Sequence, residues 1–488
     1  MQSTTDNILL ISSGFSIAAV AIITEFVSRK KILQQWLSRK ILHTFSVGIC
    51  GIIPFFLSEL TTLFYVVLIA EMLLIILVST GILFEEDSGR KSWGIALFPI
   101  PYLYFLWVFP MHIWLISLPM LILAISDSVA AINGKLFAKK HFNLTGDQKS
   151  WIGSFSFFIS TTIILTSAIY FPRIPFFFKD PIYFIFIPLF SLLITLSEAM
   201  GSKGTDNLFV PFAASLLLQF FYVAPLEIIT PIVLPISIIL FLWSSIKFKL
   251  LDLSGAIAAS LLGATVVLFA GWIWLLPLAF FLLSSTLISK LPFMKKSGRA
   301  AKEGRPRDWK QVFCNGGVYG ILSTVYCLST PFYQSDIFIL MLVSMAVATS
   351  DTWASEIGVG VGGKVIDLVS FKKVDAGMSG GISFAGTIAS VVGAAAIGSL
   401  SFMLLPFLHQ PLNAFLVVTI AGFLGMLLDS LLGALLQGKY LSNTGDLLDF
   451  KSKESRLFKG FDFIDNDLVN LISQLIILGF AFLFLISA

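Results

Sequence analysis

Apolar runs recur along this sequence from one end to the other, broken by short polar or basic segments. A helix needs roughly 20 such residues to cross a bilayer, and by that measure the chain offers about sixteen candidate spans. The first begins near Ile8. Neither an Arg- and Ser-rich transit segment nor a cleavable signal pattern is expected ahead of it. The pattern predicts an all-α, polytopic transmembrane helical protein. A polar break around Lys247, Lys249 and Asp252 divides it into two tandem membrane domains, 1–245 and 246–488.

Composition agrees. The 488 residues are 57% hydrophobic and 12% charged, with mean hydropathy +0.93. Soluble domains carry about 25% charged residues, so that class is excluded. The net charge of +4 reports membrane topology and implies no nucleic-acid partner. Cys50, Cys314 and Cys327 lack both zinc-ligand spacing and the look of a disulfide framework. They read as small packing residues.

Lys and Arg are retained on the cytoplasmic side of membrane proteins. If the N-terminus starts outside, Arg29 to Lys31, Arg39-Lys40, Arg90-Lys91, Lys135 to Lys149 and Lys203 all fall inside. So do Lys247 and Lys249, the basic stretch from Lys290 to Lys310, Lys364 to Lys373, and Lys439 to Lys459. Only Arg173 and Lys179 fall outside. The expected setting is a bacterial cytoplasmic membrane, with the polar motifs facing the cytosol.

A faint repeat relates the halves. Ser126-Asp127-Ser128 is followed by Ala130 and Gly134, and Ser350-Asp351-Thr352 by Ala354 and Gly358. A basic loop and a Ser/Gly-rich entry to the next span follow each, and each half later holds an Asp-Asn pair, Asp206-Asn207 or Asp465-Asn466. Duplication and convergence both remain open.

Ionisable residues inside a span cost about 2.5–3.5 kcal/mol and usually face a polar cavity. Asp127 is expected at the cytosolic end of its span, near Gly134 and Lys135, Lys139 and Lys140. A carboxylate, a glycine and lysines suit a nucleotide phosphate with Mg²⁺, and suit equally a charge-balanced span end. Arg39, Lys40 and His43 open the second span; His43 alone reads more readily as an interfacial residue. Glu198 leads into Gly201-Ser202-Lys203-Gly204-Thr205-Asp206-Asn207, too polar a junction for anchoring alone. Helix N-termini there suit phosphate oxygens.

On these residues the first half, roughly 30–225, resembles the phytol kinase and dolichol kinase family, relatives of the phosphatidate cytidylyltransferases. The matching pieces are Arg39-Lys40 with His43 and Gly48, Asp127 with Ala130 and Gly134, Lys149-Ser150 with Gly153-Ser154, and Glu198 with Lys203-Gly204 and Asp206-Asn207. The resemblance associates the Asp–Ala–Gly element and the Lys-Ser segment with CTP. Ala138 and His141 stand where that family often has a glycine and a lysine.

The second half carries Arg299, Arg307 and Lys310 in a basic loop that leads to Asn315-Gly316-Gly317. A solvated loop facing anionic lipid is one reading of it. Asp351 and Glu356 are five apart, hence about 140° apart around a helix. They are expected to line one cavity with Thr352 and Ser355. Asp429, deep in its span, needs a partner, and Asp465-Asn466-Asp467 opens the last span. Together these acids look like a divalent-metal and nucleotide site. Roughly 250–488 resembles the phytyl-phosphate kinase family of membrane proteins, through Arg307 to Gly317, Asp351 to Gly358, Gly377 to Gly386, Asp429 to Gln437 and Asp465 to Asn470. Met378-Ser379 replaces a more usual Thr-Asp pair.

The two resemblances imply a fusion of two CTP-dependent kinases. It would phosphorylate an isoprenoid alcohol such as phytol to its monophosphate and then its diphosphate. Mg²⁺ would sit on Asp127 and Asp206 in one half, and on Asp351, Asp429 and Asp465 in the other. Glu356 joins the candidate metal ligands and catalytic groups. His43 or Glu198 would accept the alcohol proton. Arg39, Lys40, Gly134, Lys135, Lys149, Ser150, Lys203 and Asn207 would bind nucleotide in the first half; Arg299, Arg307, Lys310 and Asn315 would bind phosphate in the second. Expected partners are the prenol and its monophosphate in the bilayer, the nucleotide and membrane lipid, with self-association left open. Competing readings are a cytidylyltransferase that forms a CDP-lipid, and a lipid or isoprenoid transporter.

Overall fold

A computed structural model describes residues 2–79, 94–171, 181–202, 204–223, 229–291, 306–404, 410–443, 447–451 and 455–487. By its own contacts the chain divides into two compact units, Met1–Ser237 and Ile238–Ala488.

Among the described residues, eleven helices are long and apolar enough to cross a membrane, fewer than the sixteen spans expected. Pro99–Val108, Asp206–Phe220 and Leu253–Phe269 are apolar but shorter. Gln35–Ile52 and Trp309–Leu328 are long enough, but are not among the eleven. They hold Arg39, Lys40 and His43, and Lys310 and Asn315. The expectation counted every apolar run as a crossing; these two helices are lowered in hydropathy by the polar candidates they carry. Many outward side chains on the long helices, such as Phe26, Ile69, Leu240, Ile420 and Phe480, are exposed and apolar. Lipid, not water, suits such faces.

Each unit is built around one central helix. In the first unit Ile113–Phe137 packs against Gln35–Ile52, Trp151–Ser167 and Asp206–Val223. Pro181–Met200 joins the last two. Its core contains Trp114, Ile116, Phe186 and Phe190, all 2% exposed or less. In the second unit Pro331–Val361 packs against Trp309–Leu328, Phe384–Met403, Pro411–Leu435 and Asn466–Ser487, and Pro411–Leu435 again touches the helices on either side of it in sequence. Its core holds Trp274 stacked on Phe338, with centroids 3.7 Å apart.

The chain is not purely helical. Short antiparallel strands His141–Asn143 and Gln148–Ser150 connect the central helix of the first unit to the next helix. Val365–Asp367 and Gly381–Ser383 do the same in the second. A three-stranded sheet of Lys439–Ser442, Leu447–Leu448 and Ser455–Lys459 precedes the last helix. These strands pair backbone groups that connections between helices would otherwise leave to solvent.

The two hairpins end alike. Ser150 Oγ accepts from Gly153 N at 3.0 Å, and Ser383 Oγ from Gly386 N at 3.1 Å, each capping the following helix. Each hydroxyl lies against a glycine of the central helix. A Cβ added at Gly134 would stand 2.7 Å from Ser150 Oγ, and one at Gly358 2.8 Å from Ser383 Oγ. Those glycines let the capped helix cross closely. One helix–hairpin–helix arrangement thus occurs twice.

Candidate functional sites

Both central helices are longer than a minimal crossing requires. At 25 and 31 residues they exceed the roughly 20 needed. Asp127 is therefore not terminal: ten helical residues follow it through Phe137. Ten likewise follow Asp351 through Val361.

In the first unit the candidate groups gather as ion pairs. Lys40 donates to Asp127 Oδ2, and His43 Nε2 lies 3.3 Å from the same oxygen. Thr44 Oγ1 and Ser128 Oγ, 2.5 Å apart, tie the two helices beside that contact. Lys149 Nζ donates to Glu198 Oε1 at 2.5 Å and to the Glu198 carbonyl at 2.7 Å, and stands 3.5 Å from Asp206 Oδ2. Burial alone would lower the Lys149 ammonium, but Glu198 and Asp206 outweigh it and hold the group raised. Asp127 adds to that field, so the two clusters share one electrostatic environment. Glu198 is 5% exposed, and its Oε2 has no hydrogen-bond partner among the described residues.

Other first-unit candidates hold structural contacts. Ser150 is the helix cap described above. Asn207 Nδ2 donates to the Gly94 carbonyl at 2.7 Å, and Lys135 lies over the Trp36 ring at 4.3 Å. Arg39 is half-buried next to Lys40 on the same helix. Lys203 and, in the second half, Arg299 fall outside the described residues.

The second unit holds an open cavity of about 570 Å³. Asp351, Thr352, Ser355 and Glu356 line it from the central helix, and Asp429 from Pro411–Leu435. Asp465, Asp467 and Asn470 contribute from the last helix and the residue before it. Asp351 is near enough to Asp429 to act on it electrostatically, and Ser473 Oγ donates to Asp429 Oδ2 at 3.1 Å. Lys249, Lys290 and Arg307 also line the cavity. Burial pulls the Arg307 guanidinium down from its usual value, and Glu356 opposes that.

Lys310 and Asn315 are already engaged. Lys310 pairs with Asp465 and stands 3.9 Å from Asp467, while Asp465 Oδ1 also accepts from Leu468 N at 3.1 Å. Asn315 Oδ1 accepts from Asn470 at 3.3 Å, and its carbonyl accepts from Gln474 at 3.1 Å.

Sequence reasoning missed three contributors. Lys249 and Lys290, read as topology markers, line the cavity. Asp449, also on its wall, accepts from Ser379 N at 2.7 Å and holds the glycine-rich turn. No spacing pattern flagged it.

Among the described residues no three His, Cys, Asp or Glu side chains converge as a ready-made metal cage. Mg²⁺ is commonly held by one or two carboxylates plus substrate phosphates and water. The neighbouring Asp351 and Asp429 fit that mode.

Fold and sites together define a polytopic helical membrane protein with charged groups concentrated in each unit. Residues 236–478 match the family described as Integral membrane protein DUF92. The chain is 31% identical over 255 residues to Protein PGR of Arabidopsis thaliana, covering 48% of this chain and 88% of that one. It is 32% identical over 197 residues to an uncharacterised membrane protein of Methanocaldococcus jannaschii, covering 40% and 79%. The chain belongs to this integral membrane family. No solved structure matches it.

Proposed function

We propose that the chain is a bifunctional, CTP-dependent kinase of isoprenoid alcohols, the first unit making the monophosphate and the second the diphosphate. The observation that carries this is the cavity of the second unit, about 570 Å³ with carboxylates and cations on its walls. Phosphoryl transfer needs positioning and charge neutralisation more than covalent chemistry, and such a lining supplies both. The resemblance to phytol and phytyl-phosphate kinases supplies the substrate class and the donor.

In the first step the prenol oxygen bonds to the γ-phosphorus as its bond to the β-bridging oxygen breaks, and CDP leaves. Glu198, with Oε2 unpartnered among the described residues, takes the hydroxyl proton. Lys40 and Lys149 turn from their carboxylates toward the incoming phosphates, and Asp127 and Asp206, released from those pairs, would hold Mg²⁺ that offsets their charge and the donor's. In the second step an oxygen of the prenyl monophosphate bonds to the γ-phosphorus of a second CTP as the bond to the β-bridging oxygen breaks and CDP leaves, and Arg307, Lys249 and Lys290 offset the charge. Bound Mg²⁺, held by Asp351 and Asp429 in the second unit, would neutralise donor phosphates. The Lys/Arg asymmetry supports sites that face the cytosol.

The test supplies purified full-length protein with labelled CTP and a panel of prenols, with and without excess EDTA. The reading expects prenyl mono- and diphosphates with CDP, and no turnover under EDTA. CMP-bearing lipid with pyrophosphate would replace it with cytidylyl transfer. Undiminished turnover in EDTA would remove the metal role of these aspartates.

A further inference from the structure

Arg307 is held more firmly than any charged residue of a solvated loop needs to be. Its carbonyl accepts from Asp252 N at 3.1 Å, and Leu251 bridges to it in parallel register. Asp252 caps the helix that begins at Leu253, accepting from Gly255 N at 2.8 Å. A Cβ at Gly255 would stand 2.2 Å from the Arg307 carbonyl oxygen, so only glycine permits this approach. On the next residues Asp308 caps the Trp309–Leu328 helix, and Trp309 N donates to Ser254 Oγ at 3.2 Å. The backbone on both sides of Arg307 is fixed.

The side chain is placed with equal care. The guanidinium carbon lies 5.0 Å from the centroid of the Phe281 ring, a cation–π distance. Arg307 Nη1 is shut off from solvent and has no hydrogen-bond partner among the described residues. An unmatched buried donor on a guanidinium is costly, and an acceptor that enters the cavity Arg307 lines reaches Nη1 once the side chain turns toward it.

Position decides which phosphate that is. Phe281 belongs to the apolar helix Leu275–Ser289, whose Thr286 and Ser289 line the cavity. It lies eight residues before the end of that helix, about 12 Å along its axis. Leu283 and Leu287 of the same helix are exposed as lipid-facing side chains are. The guanidinium therefore rests against an apolar helix that also carries exposed, lipid-suited side chains. Asp351 and Asp429, the carboxylates suited to a metal–triphosphate donor, belong to other helices. A planar fork of donors matches the oxygens of a phosphomonoester in a way that an ammonium does not.

We infer that Arg307 is the specificity-determining residue that grips the phosphomonoester of a lipid-borne acceptor, and that the donor nucleotide binds elsewhere in the same cavity. This rests on the kinase reading of the second unit for the acceptor's role, but binding itself requires no turnover. Lys310, paired with Asp465, is not the clamp.

The experiment measures equilibrium binding of labelled C20 prenyl monophosphate, and separately of labelled CTP with Mg²⁺, to the full chain in nanodiscs. Arg307→Gln is expected to weaken the prenyl monophosphate at least tenfold and to leave CTP within twofold. Arg307→Lys, which keeps the charge but loses the fork, is expected to fall in between and serves if the Gln variant fails to fold. The methyl diester of the prenyl phosphate should bind wild type as weakly as the monoester binds the Gln variant. Phosphatidate, the other lipid phosphomonoester, enters as competitor. If it displaces the probe at equal concentration, Arg307 reads the headgroup whatever its lipid. Unchanged prenyl-monophosphate binding in both variants, or equal weakening of CTP, overturns the inference. Binding that depends on Arg307 in a protein without kinase turnover would keep the inference and break the kinase reading.

Discussion

The two units place an aspartate ten residues before the end of a long central helix, followed by a hairpin, a capping serine and a glycine contact. They differ in how charge is managed. In the first unit, Lys149 immediately precedes the capping Ser150 and is bound to Glu198 and Asp206. In the second, the residue before the capping Ser383 is Ile382. The cations there, Lys249, Lys290 and Arg307, come from other elements and line an open cavity. One scaffold thus carries opposite solutions, with charge stored as closed ion pairs in one unit and spread over cavity walls in the other. Carboxylates paired with lysines tolerate burial without ligand, whereas an open charged cavity is better suited to receiving one.

The largest expected contrast is in stability. Lys149→Met leaves Glu198 and Asp206 facing each other, with side chains 7% and 22% exposed. Breaking a buried pair on one side costs about 3–5 kcal/mol, so unfolding in detergent should shift markedly. A smaller effect is expected where the units agree. Gly134→Ala or Gly358→Ala forces the neighbouring serine from its cap, for about 1–2 kcal/mol each. Equal shifts in calorimetry would confirm that the two cradles do the same work, and a loss in only one would break the equivalence. The smallest effect belongs to Lys310→Met. Lys310 and Asp465 are 39% and 49% exposed, and so open a pair contributes under about 1 kcal/mol. A loss as large as that of Lys149→Met would erase the contrast.

Much of the arrangement was legible in the sequence. Apolar runs mark most of the long helices, and the Ser-Asp-Ser and Ser-Asp-Thr triplets mark both central ones. The cost of an intramembrane carboxylate singled out Asp429, which indeed lines the cavity. Long-range pairing was not legible. Lys40 meets Asp127 across 87 residues and Lys149 meets Glu198 across 49, and nothing local encodes either partner. The hairpin strands are three residues long, too short for an alternation signal. Lys249 and Lys290 were ambiguous because a basic residue at a helix end serves topology and a binding site equally well. Ser150, Lys310 and Asn315 show the converse: polar residues in a motif that serve as cap, ion pair and interhelical bond.

The central claim is that each unit performs its own phosphorylation around its own aspartate. The most direct measurement follows C20 prenol through both steps in purified full-length protein, with labelled CTP and Mg²⁺. Asp127→Asn should lower monophosphate formation at least about a hundredfold, the scale of removing one electrostatic stabiliser, and still convert added monophosphate to diphosphate. Asp351→Asn should make monophosphate at the wild-type rate and accumulate it. If either substitution abolishes both steps in folded protein, the two units do not work as separate sites and the account is wrong.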